Sequence, residues 1–338
     1  MTQSPTAPDP NLLDLIIVGG GPCGLACAVA ARRSGLSHLM IEKGPFLNTL
    51  VRFPQTMTFF SSAERLEIGD IPFALPHLRP TRAEGIAYFQ TVAQRERVNM
   101  RTYEPVIEVT GRFGDFVVRT RDRTGRERRY RSRAVVIATG YYDSPRLLGV
   151  PGEELDHVRH YYDQPYPYFQ QRVIVIGGRN SAAQVALELF RHGAHVTLVH
   201  RGPSVSDRIK PWIRPDLDAR LRNHEIPAYF NTEVERIERD RVHLVQGGTR
   251  RFTLPADFVL AMTGYQPDHS RLKELGVDID PLSGAPVYDP ETMETNVPGV
   301  YVAGVAAGGY DPNILMIENG RFHGPKIVAH LVRRLGRA

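Results

Sequence analysis

The chain has 338 residues, 42% hydrophobic and 23% charged, a composition that suits two compact domains with buried cores. Lys and Arg outnumber Asp and Glu by 42 to 37, a formal charge of +5 that is compatible with acidic small substrates. Membrane insertion is not expected, because no apolar stretch approaches the ~20 residues that span a bilayer. Residues 1–11 are polar with three prolines and read as a tail, not a signal peptide, so a cytoplasmic protein is expected.

The first expected element is the apolar strand Leu15 to Val18, which runs into Gly19, Gly20, Gly21, Pro22, Cys23 and Gly24 and then a helix-period segment. This is the GxGxxG fingerprint in its strand-to-helix setting, where glycines let the backbone approach a pyrophosphate and the helix N-terminus supplies unpaired N–H donors. The following strand, Leu39 to Ile41, ends at Glu42, near the ~20-residue spacing at which a carboxylate meets an adenosine ribose. An unphosphorylated adenosine is implied.

Further along, Thr81 to Arg97 has helical period, and strands are expected at Val106, Phe116 to Arg119 and Ala134 to Ala138, the last entering Thr139 and Gly140. The densest basic stretch, Arg119 to Arg133, alternates Arg with Thr, Asp and Tyr. It reads as a solvated hairpin with Thr124 and Gly125 at its turn, so nucleic acid is not an expected partner. The proline-rich stretch 141–171 reads as a linker.

A second fingerprint follows: Val173 to Ile176, then Gly177, Gly178, Arg179, Asn180, Ser181 and Ala182. Arg179 stands where the middle glycine is usual, so the backbone there has negative φ or carries strain. The next strand, Val196 to Val199, ends at His200 and Arg201, and cations at that point suit a 2′-phosphate. Lys210, before Trp212, is a third candidate cation. A helix from Pro215 to His224, strands near Tyr229, Val234 and Val242, and Phe258 to Ala261 followed by Thr263 and Gly264 repeat the plan of the first unit. FAD in the first unit and NADPH in the second is the simplest assignment, because a chain holding both can pass a hydride between them. From about Ala285 the chain is expected to return to the first domain, with a strand to Ala303 and one long helical segment from Ile314 to Leu335. The fold class is therefore α/β, with two Rossmann-like domains, the second inserted in the first. The FAD domain takes 1–150 and 285–338, and the NADPH domain 165–284.

These residues resemble the two-dinucleotide-binding-domain flavoproteins of the thioredoxin reductase type, over nearly the whole chain. More narrowly, Gly19 to Gly24 with Cys23, Thr58 to Ser62, Thr139 to Asp143, Lys210 to Trp212 and Ile317 to Gly324 are similar to the bacillithiol disulfide reductase family. The resemblance implies NADPH-dependent reduction of a low-molecular-weight thiol disulfide, no metal, and a homo-oligomer. It further implies that Glu42, Lys43, Val106, Thr139, Gly140, Gly304 and Val305 join Gly19, Gly21, Pro22, Cys23 and Gly24 around FAD. Gly177 to Ala182, His200, Arg201, Lys210 and Gly264 would then hold NADPH. Val305 stands where such proteins commonly carry an Asp for the ribityl chain, which leaves that anchor to the backbone or another side chain, while the N-terminus of the following helix is expected to face the flavin N1 and C2 carbonyl.

Neither paired-cysteine motif of the wider family is present: the only cysteines are Cys23 and Cys27, one helical turn apart. Cys27 reads as a core thiol. For Cys23 two readings stand, a redox thiol whose pKa the helix N-terminus lowers and a small packing residue at the nucleotide loop. His323 borders the substrate or is a packed histidine. A ferredoxin- or flavodoxin-NADP reductase, a flavin monooxygenase and a flavin-bound redox sensor remain as alternatives on the same scaffold.

Overall fold

The computed structural model describes residues 11–311 and 315–337. The chain divides into two compact units, 1–144 with 266–338, and 145–265.

In the first unit β1 (Leu12–Val18) leads into α1 (Pro22–Arg33) and then β2 (His38–Ile41). Leu15, Ile16 and Ile17 are fully buried, the run of consecutive apolar residues expected of a strand covered on both faces. Burial of each such side chain is worth ~1.5–3 kcal/mol. After the short helix α2 (Asn48–Val51) comes α3 (Arg82–Arg95), started by a reciprocal cap in which Thr81 and Glu84 each accept the other's backbone amide. The strands β3 (Met100–Arg101), β4 (Val106–Arg112), β5 (Asp115–Arg121) and β6 (Glu127–Ile137) follow. β6 has two roles. Its first half pairs antiparallel with β5, which pairs with β4, and its second half lies parallel to β1, with Ile17 opposite Val136.

The second unit opens with β7 (Val158–Arg159), which pairs parallel with Val259 and Leu260. The stretch 145–171 is thus part of this unit and not a free linker. β8 (Arg172–Ile176), α4 (Asn180–Arg191), β9 (His195–Val199), α5 (Arg214–Arg222) and β10 (Ala228–Tyr229) are followed by the antiparallel β11 (Thr232–Ile237), β12 (Arg241–Gln246) and β13 (Arg250–Pro255), and then β14 (Phe258–Ala261). The parallel sheet runs β10-β9-β8-β14-β7. A parallel sheet fed by a three-stranded antiparallel ladder is the plan of both units.

The chain rejoins the first unit at Gln266, nineteen residues before the expected Ala285, through α6 (Ser270–Glu274). This helix carries no apolar period long enough to show in the sequence, yet Leu272 is buried in the first unit's core and Arg271 Nη1 donates to the carbonyl of Ile107. β15 (Val300–Val302) then pairs with the second half of β6. The single long helix expected from Ile314 is instead two, α7 (Ile317–Gly320) and α8 (His323–Arg334); Ile314 itself lies outside the described residues. The break has a packing reason. A Cβ on Gly324 would stand 2.6 Å from the backbone of Ala26, so α8 lies directly on α1, whereas α7 ends against Gly304.

Candidate nucleotide and redox site

The first loop is built from close backbone contacts. At Gly19, with φ +118°, a Cβ would lie 2.3 Å from the Ala138 carbonyl oxygen, and at Gly24 it would lie 2.0 Å from that of Gly19. Only glycine fits either place. Gly21 is different: its backbone is extended (φ −80°, ψ 179°), and a Cβ there would meet nothing within 4 Å. The open side of the loop is thus at Gly21, at the start of α1, a cradle that fits a pyrophosphate. Pro22 occupies the first helical turn, where its missing N–H costs nothing.

Glu42 closes the loop from the end of β2. Its Oε2 accepts the Gly20 amide at 2.7 Å and its Oε1 the Gly44 amide at 3.0 Å, while the side chain is buried. Gly20 is the residue that sequence reasoning left out, being the variable position of GxGxxG; the signal was its spacing of 22 residues from Glu42. Thr139 is exposed and Gly140 turns with φ +73° just beyond β6, on the same edge. Lys43 follows Glu42 and reaches the turn after β6. Its Nζ pairs with Asp143 at 2.8 Å, and Arg52 pairs with the same carboxylate at 2.5 Å, so the three tie the end of β2 to the turn after β6. Val106 is half-buried at the start of β4.

Cys23 lies where three segments meet. A Cβ on Gly304 would come within 2.8 Å of its Sγ, and a Cβ on Gly320 within 2.7 Å. Burial pushes the thiol up to about 12, opposite to the lowering expected from the helix N-terminus. Cys27, fully buried in the core, is also raised by burial and then by Cys23; both thiols are free. His323 is buried and packed: its Nδ1 accepts the Gly304 amide at 3.1 Å, holding that glycine at φ +63°. Burial, and then Lys326, lower the ring to about 4, so it is neutral with its proton on Nε2. Val305, half-buried, follows in a short 3-10 turn, Gly304–Ala307.

The second loop repeats the first. A Cβ on Gly177, with φ +145°, would lie 2.5 Å from the Met262 carbonyl oxygen, as Gly19 does against Ala138. A Cβ on Gly178 would lie 2.6 Å from the ring of His200, which therefore stands where Glu42 stands against Gly20. Arg179 caps α4 with φ −113° and ψ −168°, extended backbone without strain. Ala182 is buried where Gly24 sits, and Ser181 is exposed on the first turn of α4. Asn180 anchors the next loop, accepting the Lys210 amide at 2.9 Å and donating to the Arg208 carbonyl at 3.3 Å. The Lys210 ammonium lies 5.9 Å from the centre of the Trp212 ring. Burial first, then Arg201 and Arg179, lower His200, so it does not supply the positive charge expected of it near neutral pH. Gly264 turns with φ +90° after β14, the counterpart of Gly140.

Two nucleotide loops of one design on a duplicated α/β plan define a two-domain oxidoreductase of the thioredoxin reductase type, which uses a flavin and a pyridine nucleotide. The chain belongs to the pyridine nucleotide-disulphide oxidoreductase family, whose model matches residues 16–304. It is 45% identical over 320 residues to the bacilliredoxin reductase Bdr of Bacillus subtilis strain 168, covering 94% of this chain and 97% of that protein. Among solved structures it is similar to bacillithiol disulfide reductase Bdr from Bacillus cereus, with 43% identity, a TM-score of 0.93 and coverage of 95% of this chain and 99% of that one. The enzyme of the same name from Staphylococcus aureus gives 39% identity, a TM-score of 0.91 and coverage of 96% and 99%. Among the described residues no helix is long and apolar enough to cross a membrane, and no group of His, Cys, Asp and Glu is arranged to hold a metal.

Proposed function

We propose that this chain binds FAD in its first unit and NADPH in its second, and reduces a small acidic disulfide, with bacillithiol disulfide the leading acceptor. The observation that carries the cofactor assignment is the contrast between two equivalent positions. Glu42, against Gly20, offers a carboxylate to a ribose; His200 and Arg201, at the same place against Gly178, offer no acid and an adjacent cation. The acceptor rests on the names of the Bacillus and Staphylococcus relatives.

Reduction of a disulfide consumes two electrons and two protons, so NADPH, a proton and one disulfide give NADP⁺ and two thiols. The flavin, when bound, supplies the two-electron step between nicotinamide and sulfur. This chain's residues bind and orient: Gly19, Gly21 and Gly24 shape the cradle, Glu42 fixes the ribose end, and the Gly304 turn, held by His323, abuts α1 at Cys23. Cys23 is half-buried, and its raised pKa favours electron passage to the disulfide without a protein thiol between them.

The test is NADPH oxidation under anaerobic conditions by the purified yellow protein. Bacillithiol disulfide, glutathione disulfide, oxidised thioredoxin and an oxidised bacilliredoxin are the acceptors. Selective turnover of the first is expected. Turnover with the bacilliredoxin alone would move the acceptor from a small molecule to a protein. Turnover only with an added ferredoxin or only with oxygen would replace the reading by a ferredoxin reductase or a monooxygenase.

A further inference from the structure

The loop residue that departs most from the fingerprint has a place in the second nucleotide site. We propose that Arg179 is a specificity-determining residue that, with Arg201, clamps the 2′-phosphate of NADPH, while His200 serves as the wall between them. The inference rests on the assignment of NADPH to the second unit.

The two loops align residue by residue. Gly20 and Glu42 are 22 residues apart, as are Gly178 and His200, and in both units the direction of a Cβ on the glycine runs into the second member of the pair. The next residue, Gly21 or Arg179, caps the following helix in extended backbone in both units. At Gly21 the outward direction is empty for 4 Å, the space that a bound pyrophosphate uses. In the second loop a guanidinium leaves the backbone at the same point, next to the strand end that selects the ribose. Arg179 is exposed and, among the described residues, makes no hydrogen bond and no ion pair; the same holds for Arg201.

The neighbourhood is set up for an anion. Other arginines of this unit are matched with acids: Arg214 pairs with Asp218 and Asp207, and Arg220 with Asp216 and Glu225. Arg179 and Arg201 instead have no acid partner among the described residues, and after burial both add to the lowering of His200. Unmatched like charges repel, and a dianionic phosphate placed between them relieves that repulsion and takes paired N–H donors from each. A neutral His200 fits this role, since a third cation at the wall would add repulsion without a free face for the phosphate. The residue that sequence reading takes as a defect in a pyrophosphate loop is in this reading the feature that distinguishes NADPH from NADH.

The experiment compares 2′,5′-ADP with 5′-AMP, which lacks only the 2′-phosphate, as ligands of the flavin-loaded protein and of the variants Arg179→Gly and Arg179→Gln, by calorimetry. Flavin content and melting temperature serve as checks of folding. The unchanged protein is expected to bind 2′,5′-ADP at least tenfold more tightly than 5′-AMP. Both variants are expected to lose most of that preference, with affinity for 5′-AMP altered less than twofold, and Arg179→Lys to restore part of it. A preference kept intact in the variants overturns the role of Arg179 and leaves the NADPH assignment standing. Equal loss for both ligands overturns it too, by showing a contact to the shared 5′-phosphate. No preference in the unchanged protein would overturn the NADPH assignment itself, and this inference with it.

Discussion

The amide of Gly20 donates to Oε2 of Glu42 at 2.7 Å, across 22 residues of chain, and the other oxygen of that carboxylate takes the Gly44 amide. A buried carboxylate is costly unless its lone pairs are met, and here the loop that receives the nucleotide meets them. Glu42 therefore shapes the loop, and under the proposed FAD assignment it also presents charge to a ribose.

Replacing Glu42 with Gln removes the charge and one of the two acceptor oxygens, so one backbone amide faces an NH2 that cannot accept and the contact of the other is no longer a charge-assisted bond. Such a bond is worth ~1.5–3 kcal/mol, against ~1 for a neutral one. The expected outcome is protein purified with less flavin per chain and a Kd for FAD raised on the order of tenfold, since ~1.4 kcal/mol is a factor of ten. A flavin-to-protein absorbance ratio equal to that of the unchanged protein would refute the dual role.

The glycines of the first loop divide into two kinds. Gly24→Ala forces a methyl to within 2.0 Å of the Gly19 carbonyl, backbone against backbone, and neither side can yield cheaply. Gly21→Ala meets no protein atom within 4 Å and suits its extended φ. The flavin-free melting temperature is expected to fall by several degrees or more for Gly24→Ala, where ~1 kcal/mol corresponds to ~2–4 °C. It should hardly move for Gly21→Ala, which should instead weaken FAD binding. A Gly21→Ala protein with unchanged FAD affinity would show that the cofactor does not approach this side.

His323 links the fold to pH. Its pKa is about 4 because burial and then Lys326 disfavour the cation, against 6.5 for the free ring. Between those values the unfolded chain binds a proton that the folded chain refuses, so stability falls as pH drops from about 6.5 to about 4. The loss from this group is at most ~3 kcal/mol over the window, at ~1.4 kcal/mol for each unit of difference. In His323→Gln, whose amide oxygen can still accept the Gly304 amide, that part of the pH dependence should vanish. The stability gap between the two proteins should narrow on acidification, as chemical denaturation at pH 7, 5.5 and 4.5 would reveal. A gap that is constant with pH would exclude the neutral buried ring.

The two nucleotide loops were legible because they are local: Gly19 to Gly24 and Gly177 to Ala182 sit on strand-to-helix turns whose sequence period changes from apolar run to helix within a few residues. What was not legible depends on contacts distant in the chain. Lys43 has its ion-pair partner in Asp143, a hundred residues on, a contact that its place beside Glu42 does not reveal. The return at Gln266 was hidden because α6 has only five residues and is held by Leu272 and by Arg271 reaching the carbonyl of Ile107. The break between α7 and α8 follows from Gly320 abutting Cys23 and Gly324 abutting Ala26, a constraint on helix placement that apolar periodicity does not encode. The charge state of His200 likewise depends on burial and on Arg179, which belongs to another strand-end loop.

Cys23 gives the last prediction, because its two readings differ in a measurable rate. With its pKa pushed up to about 12, less than about one thiol in ten thousand is ionised at pH 7.5, and the thiolate is the reacting form. Iodoacetamide is therefore expected to modify the folded, flavin-loaded protein at least a hundredfold more slowly than the same chain in denaturant, as peptide mass analysis at Cys23 would record. Cys23→Ser, close in size between Gly304 and Gly320, should keep its flavin and turn over disulfide at a rate within about threefold of the unchanged protein, whereas Cys23→Leu should lose flavin through collision with both glycines. Rapid alkylation at neutral pH, together with a flavin-replete Cys23→Ser protein that no longer reduces disulfide, would instead establish this thiol as the carrier of electrons.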